Sequence, residues 1–172
     1  MNPLMFRLIA TIFLIFSMVI NSKVIFSDYK VSQVLRYNQV NKSAIENILS
    51  EIEYYAMVEP VVVRYYKENK RDCENNVKFA KILLDMNTKS SQAYYILASC
   101  YDQNGDLISA QAAVENSLLI DPHNVVNLLN LAIMQYKFEK YLECQKTLDK
   151  INLIRPNLPN TTTIQNLLNK VS

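Results

Sequence analysis

The sequence predicts an all-α protein in which an N-terminal transmembrane helix leads into a solenoid of helical hairpins. Three observations predict it. Leu4 to Ile20 form an apolar run whose one charge is Arg7. Beyond it, apolar residues recur at three- and four-residue steps, the spacing of one helix face. Finally, Asp121-Pro122 recurs as Arg155-Pro156 after 34 residues, a period that suits a two-helix repeat.

The apolar run comes first in the chain, under a mean hydropathy near zero that hides it. Leu8 to Ser22 are uncharged and Lys23 closes the stretch. At about 1.5 Å per residue this core falls short of a ~30 Å hydrocarbon layer, and residues 4–26 together make up the difference. Arg7 and Lys23 would then reach toward opposite interfaces. A cleavable signal peptide is the competing reading, but Val-Ile-Asn-Ser-Lys offers no small-residue cleavage site. A buried soluble helix is the third. Lys23, Lys30 and Arg36 follow the segment closely, so a Lys/Arg count puts the C-terminal side in the cytoplasm. An anchor acting as an export signal would instead place the repeats in the periplasm, and orientation stays open.

Between Val24 and Met57 there is neither glycine nor proline. Val31, Val34 and Leu35, then Ile45, Ile48, Leu49 and Ile52, fall on helical spacing, predicting helices over 28–38 and 44–57. Ser43 with Glu46 three residues on reads as a capping box for the second. The expected organisation is an anchor over 1–26, membrane-proximal helices over 27–59 and repeats over 60–172.

The stretch Phe26-Ser27-Asp28-Tyr29-Lys30-Val31-Ser32-Gln33-Val34 directly follows the apolar segment. It resembles the join between the last membrane helix and the soluble tail in bacterial O-antigen ligases and protein O-oligosaccharyltransferases. The resemblance spans about residues 20 to 135, and its one sharp motif is the Asp28-Tyr29 to Ser32-Gln33 cluster. It implies a bacterial inner-membrane protein connected with surface-glycan transfer or polymerisation. The ligase family has many spans and a large catalytic loop, to which nothing here corresponds. The expectation is therefore a tail without the catalytic body, and no enzyme.

Aligned on the prolines, Tyr94-x2-Leu97-Ala98-x2-Tyr101, Ala110-x3-Val114 and Pro122 are followed by Leu128-x2-Leu131-Ala132-x2-Gln135, Cys144-x3-Leu148 and Pro156. This pattern resembles the tetratricopeptide repeat. Small residues at Ala98, Ala110, Ala132 and Cys144 let paired helices approach, and each proline ends a second helix. Asn104-Gly105-Asp106 and Phe138-Glu139-Lys140 are the internal turns. Upstream, Pro60 is read as starting a degenerate copy that ends near Asn87, and Thr161 to Val171 as a capping helix, the usual end of a stack.

First helices of such repeats line a groove. By register it would present Gln92, Tyr95, Ser99, Asp102 and Gln103, then Val126, Leu129, Ile133, Tyr136 and Lys137, a mixed surface suited to an extended peptide or partner helix. Alternatively, Leu129 and Ile133 pack on a neighbouring helix. Chaperone-binding repeats grip a terminal carboxylate with Lys, Arg and Asn. Asn130 could serve so, but Tyr95 and Ser99 occupy places where gripping residues are expected, which argues against a clamp.

Composition agrees with an interaction role. The 172 residues include one glycine, too few for phosphate-cradling loops, and one histidine, His123, which rules out a multi-histidine metal site. Cys73, Cys100 and Cys144 match no zinc spacing and read as packing residues. A net charge of +2 gives no reason to expect nucleic acid. No catalytic residue, metal or cofactor is expected. Protein partners are, within the membrane by the ligase resemblance, or in a secretion, pilus or other envelope complex.

Overall fold

A computed structural model describes residues 3–36, 41–52 and 55–170. The described residues form nine helices and no strand: α1 (Pro3–Arg36), α2 (Lys42–Glu51), α3 (Tyr55–Glu68), α4 (Cys73–Met86), α5 (Ser91–Gln103), α6 (Leu107–Ile120), α7 (Val125–Lys137), α8 (Tyr141–Ile154) and α9 (Pro159–Leu168). They divide into two compact units, Met1–Tyr65 and Tyr66–Ser172, whose boundary falls inside α3. The expected boundary at residue 60 also lies inside that helix.

In the first unit, α1 runs unbroken through the place where an anchor and a separate helix over 28–38 were expected. The apolar run ends near residue 26, but nothing there stops a helix: no proline, no glycine, no cap. Thr11–Val34 is long and apolar enough to cross a membrane, a property that a signal sequence shares. Along residues 11–26 the side chains are exposed apart from half-buried Val24, and Ser27, which follows them, is buried. The helix expected over 44–57 is α2 and ends at Glu51; Ile52 turns extended and donates its N–H to Ile48 O at 2.9 Å. Its cap is Asn41, whose Oδ1 accepts from Ala44 N–H at 2.9 Å, so the Ser43–Glu46 capping box does not form the start. Lys30 on α1 pairs with Glu51 on α2, and α2 buries Ile45 and Ile48. Helix α3 begins at Tyr55, so Pro60 sits in its second turn instead of opening it. A proline there forgoes one intrahelical bond.

The second unit repeats with a strict step. Helices α4, α6 and α8 begin at residues 73, 107 and 141, and α5, α7 and α9 at 91, 125 and 159. Each series advances by 34 residues. Caps follow the same step. Ser90 accepts from Ala93 N–H at 3.1 Å to start α5, and Asn124 accepts from Asn127 N–H at 3.1 Å to start α7. Before α9 the corresponding residue is Leu158, with Pro159 supplying a preset first turn instead. Among the second helices, Asp72 and Asp106 cap α4 and α6, while Lys140 gives α8 no side-chain cap.

The turns inside the two aligned repeats are the same turn. Asp106 N–H reaches Tyr101 O at 2.9 Å, and Lys140 N–H reaches Gln135 O at 2.8 Å. This six-to-one bond requires a left-handed residue just before it. Gly105 supplies it at φ 79°, and Glu139 adopts it at φ 58° despite its side chain.

Packing follows the small-residue logic. Ala98, Ala110, Ala132 and Cys144 are all buried, and the Cys144 thiol donates to Ala132 O at 3.2 Å across α7 and α8. Leu128, Leu148, Ile151, Ile164 and Leu168 close the core of the last repeat, so α9 covers its end from residue 159 rather than 161. Asn127 Nδ2 donates to Ser117 Oγ at 2.6 Å, and Ser117 donates to Ser91 O at 3.1 Å, a polar thread tying α7, α6 and α5.

Candidate partner-binding groove

Successive first helices α5 and α7 leave a cleft of about 120 Å³ between them. Tyr95, Ala98, Ser99 and Asp102 line it from α5, and Asn130, Ile133 and Met134 from α7. Four of these are residues the register had singled out: Tyr95, Ser99, Asp102 and Ile133. Small Ala98 and Ser99 leave the space because a larger residue would bring side chain into it. Ile133 stands 40 % exposed beside buried Met134, which gives the cleft an apolar wall.

Two further contacts shape it. Lys137 Nζ donates to Asp102 Oδ1 at 2.7 Å, joining α7 to α5 at one end of the cleft. Both side chains are partly exposed, so the pair contributes about 0–1 kcal/mol and can be exchanged for a ligand's charge. Tyr66, at the end of α3, donates its phenol to Ser99 Oγ at 2.7 Å and meets Tyr95 edge to face with ring centroids 5.8 Å apart. Burial pushes the Tyr66 phenol up to about 12, against the opposing pull of the Ser99 bond. At neutral pH it is a fixed donor that orients Ser99, whose oxygen also accepts from Gln103 Nε2 at 3.3 Å.

The other expected groove residues are placed differently. Leu129 is only 8 % exposed and belongs to the core with Leu128, Ala132 and Ile164, so it leaves the groove surface. Tyr136 is half-buried, tilted against Tyr141 at 5.7 Å and packed on the same core. Gln92 and Val126 are exposed at the N-terminal ends of their helices and do not line the cleft. Ala98, Met134 and Tyr66 were not selected by register, which marks positions facing straight out and misses those reaching in from the sides.

Chemically the cleft holds one carboxylate, one amide, hydroxyls and apolar walls. Among the described residues no group of three His, Cys, Asp or Glu side chains is placed to hold a metal. All three cysteines are free and buried. Burial pushes the thiols of Cys100 and Cys144 up, Cys100 further through its contact with Cys73, which keeps them protonated packing groups. A second, wholly neutral cleft of about 270 Å³ lies between α8 and α9, lined by amides such as Asn152 and Gln165 together with Thr161.

Comparison with known proteins gives the following. A family model described as anaphase-promoting complex, cyclosome, subunit 3 matches residues 69–151, just under half of the chain. No curated protein matches in sequence. Among solved structures, a crystal structure of MamA protein matches with TM-score 0.63 at 13 % identity, over 87 % of this chain and 82 % of that one. The first TPR of Spaghetti (RPAP3), bound to the HSP90 peptide SRMEEVD, matches with TM-score 0.60 at 12 % identity over 68 % and 91 %. The Arabidopsis OM64 TPR domain matches with TM-score 0.57 at 17 % identity over 64 % and 90 %. The chain thus has the fold of a tetratricopeptide-repeat solenoid, preceded by one long apolar helix. None of these matches concerns an O-antigen ligase or oligosaccharyltransferase.

Proposed function

We propose that the chain is a noncatalytic adaptor, held to a bilayer by α1, whose α5–α7 cleft receives an apolar side chain of an extended peptide or partner helix. The observation that carries this is the cleft itself. An apolar wall at Ile133 and Met134 faces Tyr95, with Asn130 and Asp102 placed for main-chain groups. A similar fold, the Spaghetti (RPAP3) repeat, is bound to a peptide in its structure. That peptide is acidic, whereas this cleft carries Asp102 and has Tyr95 and Ser99 in place of gripping cations, so the preferred ligand here is neutral or basic.

Bilayer attachment is supported by eight large apolar side chains between Ile12 and Ile20, each 43–76 % exposed along a single helix. Such a patch in water far exceeds what a soluble monomer shows. The narrower reading, assistance to surface-glycan transfer beside a multi-span enzyme in the bacterial inner membrane, rests on the Asp28-Tyr29 to Ser32-Gln33 cluster alone. A general envelope adaptor is the alternative.

The test is affinity recovery of partners from detergent-solubilised membranes with the intact chain. Tyr95→Ala and Ile133→Asp are expected to lower recovery of a specific partner at least tenfold while circular dichroism stays helical. Unchanged recovery in both variants would remove the cleft from consideration. Multi-span glycan enzymes among the partners favour the narrower reading, and secretion or pilus proteins the alternative. Extraction by alkaline carbonate would refute the anchor, and a C-terminal reporter fusion decides which side the repeats occupy.

A further inference from the structure

Charge is spread unevenly along the repeats. From Ser90 to Tyr136 there is no Lys or Arg, in a chain with 18 of them, while Asp102, Asp106, Glu115 and Asp121 all fall in that stretch. It covers α5, α6 and all of α7 but its last residue, so both walls of the α5–α7 cleft lie within the anionic section of the solenoid. The end of α5 concentrates the effect. Asp102 stands in its last turn, where the carbonyl ends already make a helix terminus negative, and no basic residue accompanies it there. A carboxylate in that place carries the same sign as the dipole, so the site calls for a cation from outside its own helix.

In the free chain Lys137 of α7 fills this place, donating to Asp102 Oδ1 at 2.7 Å. It is a weak occupant. The two side chains are 41 % and 37 % exposed, and water competes for both. Lys137 also lies in the last turn of α7, where the dipole of its own helix favours it whether or not it touches Asp102. Releasing it costs little, and the carboxylate can change partners.

We infer, on the reading of this cleft as the binding site, that it selects a basic peptide: one apolar side chain enters against Ile133 and Met134, and an Arg or Lys two residues away replaces Lys137 on Asp102. The spacing follows from the wall. Ile133 and Lys137 are four residues apart on α7, a rise of about 6 Å. Side chains two apart in an extended chain point the same way, about 6.6 Å from each other. An extended chain lying along α7 therefore matches its apolar residue to Ile133 and its basic residue to the end where Asp102 and Lys137 meet. Asp102 Oδ2 and the Asn130 amide stay with the ligand main chain. An acidic peptide would bring like charge to Asp102 and to the negative end of α5, and is rejected.

The test is fluorescence anisotropy of labelled peptides with the full chain in detergent. The probes are Gly-Ser-Leu-Ser-Arg-Ser-Gly, Gly-Ser-Arg-Ser-Leu-Ser-Gly, and versions of each with Gln or Glu in place of Arg, or Ala in place of Leu. At least one Arg peptide is expected to bind about fivefold more tightly than its Gln version, the size of a partly exposed ion pair, and more tightly still than its Glu version. Raising salt from about 50 to about 500 mM weakens the Arg peptide and leaves the Gln peptide unchanged. Asp102→Asn abolishes the preference for Arg and keeps that for Leu over Ala. Lys137→Gln removes the competing cation and tightens the Arg peptide, a gain that a merely structural role for Lys137 would not produce. Equal binding of Arg and Gln peptides, or tighter binding of Glu peptides, overturns the inference. So does an Arg preference that survives Asp102→Asn, or weaker Arg binding in Lys137→Gln. If the peptides in those cases still lose affinity in Tyr95→Ala, the cleft remains the binding site and only its charge selection falls. Absence of binding by every probe up to about 1 mM, or binding indifferent to Tyr95→Ala, removes the cleft reading together with the inference.

Discussion

Glu139 and Gly105 occupy the same turn in consecutive repeats, and exchanging their residue types separates backbone strain from everything else. Glu139 holds φ 58° and Gly105 φ 79°, with matching hydrogen bonds around both. A side chain in the left-handed region costs about 1–2 kcal/mol. Introducing glycine gives back about 0.4–1 kcal/mol through the freer unfolded chain. Glu139→Gly is therefore expected to stabilise by about 0.5–1 kcal/mol. Gly105→Ala should destabilise by about the same amount, and for the backbone reason alone, because a Cβ there meets nothing within 4 Å. For a chain of this length these changes correspond to about 2–4 °C in Tm for each 1 kcal/mol. Thermal and urea melts of the full chain by circular dichroism in one detergent would read both, with Glu139→Ala as a control that keeps the strain and should barely move. A loss of stability in Glu139→Gly, or no loss in Gly105→Ala, would refute the reasoning.

Lys140→Asp should stabilise by about 0.5–1.5 kcal/mol in the same melts, because Asp72 and Asp106 cap the equivalent helices and α8 lacks that bond. Leu148→Ala removes a side chain with 0 % exposure from the last repeat and is expected to cost about 2–5 kcal/mol, read as a lowered urea midpoint. Asp106 is held below the usual aspartate range by its hydrogen bonds from the Ser109 side chain and backbone. Its contribution is thus present above the ordinary value of about 3.9 and is lost as pH falls through the lower folded value. Asp106→Asn keeps an acceptor that does not titrate, so its stability should fall less steeply below about pH 4, and an equal slope in both proteins would contradict the assignment.

The repeat architecture was legible because its signals are local. Prolines at a 34-residue step, small residues at helix crossings and polar residues before α4 to α8 act within a few positions of themselves. What was misread needed either a stop signal or a neighbour. Helix α1 was divided where hydrophobicity changes, but backbone hydrogen bonding does not depend on hydrophobicity and continued to Arg36. Asn41 took the cap that Ser43 and Glu46 were expected to form, since the helix began two residues earlier. In the groove, Tyr95 and Leu129 share a register position, yet Leu129 joins a core cluster containing Ile164 and Leu168 of α9. Register does not reveal what covers a residue. The Tyr66–Ser99 bond links residues 33 apart in sequence, and no local pattern announces such a contact.

The continuity of α1 has a mechanical consequence. Across Pro3–Arg36 there is no internal proline or glycine, so the rod has no swivel along roughly 50 Å. A rotation about its axis imposed at Phe13 or Phe16 arrives at Lys30 as the same angle, and with it turns the side of the helix that meets α2. Whatever grips the apolar end therefore sets the compass bearing of the hairpin it makes with α2. One added residue in the middle of α1 would turn that bearing by about 100°, and a full turn of added helix would nearly restore it.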